Sequence, residues 1–227
     1  MTSAEAGIGD PRASARFAPT HKWDRNAVLI LVELVWLGAV MGFGPTVFQH
    51  ASENQAHPII LHLHAVAFVG WLMLLSTQLL LIRARRTDLH RRLGLAGMVL
   101  VPVMVVLGVA ASIVMAQVQF GTPRSRPAFL AVEFTDMLAF SGLAGAGFAL
   151  RGTPQAHKRL ILLATFYIID AGYSRWLSGS IRGVLGSGFL GRFAGLFSGP
   201  DLLLLALGGY DFATRGRLHP AYIAGGM

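Results

Sequence analysis

Again and again along this chain, about twenty residues pass with almost no charge. Such runs fall near 27–48, 58–82, 93–116, 127–150 and 160–177, with a shorter one near 200–214. A helix needs about 20 mostly apolar residues to cross a bilayer, so each long run has the length of a membrane span. Only 13% of the residues are charged, against about 25% in soluble globular domains. The runs lack two-residue alternation, and they carry isolated Gly and Pro of the kind membrane helices tolerate, which argues against a β-barrel. The sequence predicts an all-α fold, a polytopic membrane helical bundle of about six transmembrane helices.

The formal charge is +8, from 19 Lys and Arg against 11 Asp and Glu. On a soluble domain such basicity points to nucleic acid. On an apolar chain it points to loops at an anionic membrane surface, so the expected partner is the lipid bilayer and no nucleic acid. The absence of cysteine excludes disulfides, thiolate metal sites and covalent c-type haem.

Sorted by the loops they occupy, fourteen of the nineteen basic residues fall on one side: Arg12, Arg16, Lys22, Arg25, Arg83, Arg85, Arg86, Arg91, Arg92, Arg151, Lys158, Arg159, Arg215 and Arg217. The other side holds Arg124, Arg126, Arg175, Arg182 and Arg192. The positive-inside rule then places both termini in the cytoplasm, N-in and C-in. Residues 1–26 are polar, without an apolar core and cleavage site, and read as a disordered cytoplasmic tail before one transmembrane domain, 27–227. The Gly-rich segment 178–199 reads as an outer loop, an interfacial helix or a re-entrant segment. The closing HPAYIAGGM resembles the beginning of another span, which raises a shortened C-terminus.

Ionisable groups inside a bilayer cost about 2.5–3.5 kcal/mol on insertion scales, so each one needs a reason. The runs contain Glu33, His62, His64, Glu133, Asp136 and Asp170. At about 1.5 Å per residue, His64 and Glu133 lie roughly 9 Å below the outer interface and Asp136 roughly 13 Å, with Asp170 near the midplane. Glu133 and Asp136, three apart, share a helix face. His57 and His64, seven apart, share one too, whereas His62 and His64 point apart. Three readings follow. His57, His64, Glu133 and Asp136 admit a Zn²⁺ or Cu²⁺ site. Asp170, Glu133, Asp136 and Glu33 admit a proton or cation path. The same groups also admit an interhelical hydrogen-bond network without chemistry.

A second constellation lies at the inner face. His-(Arg/Lys)-Arg-Leu occurs twice, at His90 and at His157, each time where a span opens, which raises a divergent duplication. Two histidines on neighbouring helices are what six-coordinate haem b needs, and Arg91, Arg92, Lys158 and Arg159 stand ready for propionates. The plainer reading is interfacial histidines touching headgroups or loop carbonyls. Gly-rich phosphate loops after a strand, HExxH and GxSxG are all missing.

The segment HLHAVAFVGWLMLLSTQLLLIRARRTDLHRRLGLAG, from His62 to Gly97, resembles bacterial multipass membrane proteins of unknown function. It is also similar to the haem-bearing core of the transmembrane ascorbate-dependent cytochrome b family. His157-Lys158-Arg159 extends the likeness, which covers roughly Leu61 to Trp176. The resemblance implies a bacterial inner membrane, His64 and His90 as haem-side histidines, and His157 as partner of His90. That cytochrome family uses four histidines on four consecutive helices; the fourth span here offers Glu133 and Asp136 instead. Three functions are therefore expected in competition: a haem-binding or redox-linked membrane protein, a small proton- or cation-coupled transporter, and a membrane scaffold. A homo-oligomer stays open.

Overall fold

The structure, a computed structural model, describes residues 17, 18, 20–53, 57–123 and 125–226. Among them there is no strand. Eight α-helices follow one another: α1 Asp24–Glu53, α2 Ile59–Arg83, α3 Thr87–Gln119, α4 Leu130–Ala149, α5 Pro154–Ile168, α6 Asp170–Leu185, α7 Phe189–Arg215 and α8 Pro220–Gly226. A single 3-10 turn, Pro127–Phe129, precedes α4. Helices α1 to α4 and α7 contain spans long and apolar enough to cross a membrane, and α5 with α6 makes a sixth if that bent pair is one span. The expectation of a multipass helical bundle stands on this. Arg12, Arg16 and Arg124 lie outside the described residues.

The order around the bundle follows the chain. Helix α2 lies on α1 and α3, α4 lies between α3 and α5, and α6 and α7 pack on each other and back on α1. Two boundaries differ from the sequence reading. The run near 160–177 is not straight: it bends by 50° where α5 gives way to α6. At the bend the Asp170 carboxylate takes the N–H of Ala171, its own neighbour in the chain. Such a local bond competes with the helical ladder, as Asp side chains do. The Gly-rich segment 178–199 is helical on both sides of a break at Gly186, whose φ of +78° suits glycine. Glycine weakens helices in water; inside a bilayer every backbone group must be bonded internally, and small residues let helices approach.

The tightest approach is between α1 and α6. A Cβ built on Gly172 would stand 2.6 Å from the Gly38 carbonyl oxygen, and one on Gly42 would strike the Gly172 backbone. Tyr173, next along α6, donates its hydroxyl to the Leu34 carbonyl at 2.8 Å. Deeper in the core, the Trp71 ring meets Phe140 edge to face at 5.3 Å. Its Nε1–H donates to Thr165 Oγ1 at 3.1 Å, so the indole is buried with its polar atom satisfied.

One end of the bundle is locked by charge. Here α1, α3 and α5 begin and α2, α4 and α7 finish. Arg159 of α5, 1% exposed, holds both carboxylate oxygens of Asp211 of α7, 0% exposed, through the Nε–Nη2 edge of its guanidinium. Asp24 at the start of α1 accepts from Arg215 Nη2 at 2.7 and 2.9 Å and from the Tyr210 hydroxyl at 2.7 Å. Lys158 lies 3.0 Å from the same carboxylate. Phe17 sits under both guanidinium groups, 4.7 Å from Arg159 and 4.8 Å from Arg215. The expected free tail therefore gives way by Phe17 to chain that is packed and paired; residues 1–16 lie outside the described residues. The apolar closing segment, which resembled a new span, is the short α8, packed on α5 with Tyr222 and Gly225 buried.

Candidate functional site

Three carboxylates converge where α4 faces the α5–α6 bend. Glu133 and Asp136 come from α4, one helical turn apart, and Asp170 is the first residue of α6. Asp136 and Asp170 line one cavity, and each feels the charge of Glu133. Asp170 is 5% exposed, while Asp136 and Glu133 are half-buried. These three are the residues that the sequence reading grouped as a path. Its fourth member, Glu33, is exposed on α1 and takes no part.

A cavity opens on each side of this array. The first, about 570 Å³, lies between α3, α4 and α6, and Glu133 and Arg175 line it. The second, about 440 Å³, lies between α4, the bend, α7 and α8, and is lined by Asp136, Asp170, Thr135, Tyr167 and Asp201. Arg175, one turn beyond Asp170, donates Nη1–H to the Ala171 carbonyl at 2.7 Å and stacks over Phe43 at 4.7 Å. The sequence reading used Arg175 for topology alone and passed over Asp201 and Asp211. Their signal was available in the rule applied to the others, a charge inside or beside an apolar run.

The four residues suggested as metal ligands do not gather. Among the described residues, no group of three His, Asp or Glu side chains has metal-binding geometry. His64 stacks on Phe68 at 4.1 Å, and its Nδ1 is buried without a hydrogen-bond partner. His62 is exposed on α2. His64 thus has no histidine opposite it for a second haem.

His90 and His157, in contrast, do meet. Their ring centroids are 6.4 Å apart and the planes are nearly perpendicular. Two imidazoles on opposite sides of one metal ion need about that separation, with roughly 2 Å for each metal–nitrogen bond. His157 Nδ1 lies 2.8 Å from the Gly147 carbonyl. Backbone carbonyls fix ligating imidazoles in this way. His90 Nδ1 is buried without a hydrogen-bond partner. Phe148, 6.5 Å from His157, is the aromatic neighbour of the pair.

Comparison of the chain with protein-family models, curated proteins and solved structures gives no match. The geometry carries the functional reading by itself.

Proposed function

We propose that this protein is a proton-coupled membrane carrier in which Glu133, Asp136 and Asp170 take up and release protons inside the bundle. The observation that carries the reading is the convergence of Asp136 and Asp170 on one cavity, with Glu133 one turn away on α4. Carboxylates that share a site repel when both are ionised, which favours a proton on one of them. Uncompensated charge in a bilayer is costly, and acids there mark proton relays. Cavities on both sides give the relay two approaches. The bend at Asp170 supports the same reading, since transporter ion sites are built where a span is interrupted. The excess of basic residues at the Asp24–Arg215 end favours that end facing the cytoplasm of a bacterial inner membrane.

The test is proton uptake into proteoliposomes holding a pH-sensitive dye, driven in separate runs by a potassium diffusion potential and by an inward hexanoate gradient, with the rate of protein-free liposomes subtracted. Wild-type protein acidifies the lumen, and Asp170→Asn loses most of the rate. Asp136→Asn, measured beside it, reports on the same pair if the first variant does not fold. A folded Asp170→Asn or Asp136→Asn protein running at the wild-type rate refutes the assignment.

A second reading has its own observation, the orphaned His90 Nδ1 beside His157. In it, His90 and His157 hold a haem b, which would supply one-electron transfer. Purified protein then shows a Soret band that the His90→Ala, His157→Ala double variant lacks. Colourless protein from haem-replete cells refutes it.

A further inference from the structure

Three arginines of the bundle differ in what they hold. Arg159 and Arg215 each hold an aspartate. Among the described residues Arg175 has no carboxylate within 4 Å; its hydrogen bond goes to one backbone carbonyl, and Phe43 covers one face of its guanidinium. A guanidinium carries five N–H donors in a fixed fork that matches a carboxylate edge. Most of that fork is unspent, and it lines the 570 Å³ cavity.

The cavity has the character of a site for a small molecule. Its size lies within the range of about 300–1,000 Å³ for such sites. Among the described residues its charged lining is Arg126, Arg175 and Glu133, one positive charge in excess. The remainder is largely apolar, with Ile113, Phe120 and Phe129 among the lining residues. Arg126 and Arg175 are both exposed, and Arg175 lines the cavity together with Glu133.

We propose that this cavity binds an organic anion with one carboxylate on an apolar body, and that Arg175 is the group that recognises the carboxylate. A second negative charge on the ligand would exceed the lining's surplus, and a cation would meet two arginines. An anion held here lies on the Glu133 side of the proton relay, where a proton and a monocarboxylate can be carried together. That coupling rests on the carrier reading; binding itself does not.

The experiment is equilibrium binding of radiolabelled hexanoate to the full chain in lipid nanodiscs. Hexanamide and hexylammonium are competitors, and protein-free nanodiscs correct for partition into lipid. Hexanoate is expected to bind, with both competitors weaker. Arg175→Gln is expected to weaken hexanoate about tenfold or more, the scale of a lost charge-assisted pair, while leaving hexanamide competition unchanged. Arg175→Lys restores part of the loss, and Arg126→Gln weakens hexanoate by a smaller factor, which keeps the idea testable if Arg175→Gln does not fold. A water-soluble acid and a membrane fatty acid share this chemistry; oleate displacing hexanoate at far lower concentration assigns the bilayer as the source. Undiminished hexanoate binding by folded Arg175→Gln, equal loss of hexanoate and hexanamide, or hexylammonium competing as well as hexanoate overturns the proposal. Absence of hexanoate binding with Asp170-dependent proton uptake intact overturns it and spares the carrier. Arg175-dependent binding without any proton flux does the opposite.

Discussion

Replacing Asp211 by Asn removes one charge and almost no volume, and it should be among the most damaging single changes in the chain. Asp211 is fully buried, and both its oxygens accept from one edge of the Arg159 guanidinium, with Nε 2.7 Å from Oδ2. Arg215 Nη1 stands 3.9 Å from the same carboxylate. The cluster at this end contains Arg159, Arg215 and Lys158 against Asp24 and Asp211, so its charge is +1. Without Asp211 the charge doubles, and Arg159 keeps only the Gln155 oxygens and the Phe17 ring. Two unit charges about 4 Å apart attract by about 4 kcal/mol at an effective dielectric near 20. Removing one partner of a buried pair costs about 3–5 kcal/mol. For a chain of this size that corresponds to a fall in Tm of roughly 6–20 °C. Thermal unfolding in detergent, followed by tryptophan fluorescence, measures it. Replacing both partners, with Arg159→Met and Asp211→Leu, should recover most of the loss, because the desolvation of two charges disappears with their attraction. An Asp211→Asn protein melting within 1–2 °C of wild type, less than about 1 kcal/mol, refutes the reasoning.

Two further outcomes follow from packing and protonation. Gly42→Ala puts a methyl group against the Gly172 backbone and should cost about 1–3 kcal/mol, whereas Gly142→Ala and Gly145→Ala, with nothing within 4 Å, should be neutral or slightly stabilising in the same melts. His219, in the turn between α7 and α8, accepts the Ala221 N–H on Nδ1 at 3.0 Å, and burial first, then Arg159, holds its pKa below the usual value; Lys158 and Arg215 act in the same sense and Asp211 opposes them. A folded pKa below the unfolded one means that the unfolded chain binds the proton more readily. Stability from this group is therefore complete well above pH 6.5 and falls as pH drops below about 6.5. Melts from pH 8 to 5 should show a loss that His219→Gln reduces, and an identical pH dependence in both proteins would contradict the assignment.

Much of the candidate site was visible in the sequence. Glu133, Asp136 and Asp170 were marked by being acids in apolar runs, and the repeated His-(Arg/Lys)-Arg-Leu marked His90 and His157. Glu33 passed the same test and lies exposed, because depth in a span says nothing about which way a residue faces. A helix turns about 100° per residue, so its rotation about its own axis decides which groups meet. The proposed ligands His57, His64, Glu133 and Asp136 share a depth without sharing a site for that reason. Asp211 was overlooked because it stands near the end of α7, where a charge looks ready for water. Its partner is 52 positions earlier in the chain, on another helix.

The sequence by itself determined that this chain makes long apolar helices and about how many. A bilayer imposes length and apolarity on each segment separately, so those properties are local and can be read one run at a time. The tertiary structure decided which arginines hold a carboxylate, which acids line one cavity, and that a glycine-rich segment is helical. Each depends on two helices meeting at a particular rotation and distance. Arg159 and Arg175 are equally charged in the sequence; one finds Asp211 and the other an open cavity only after the bundle has closed.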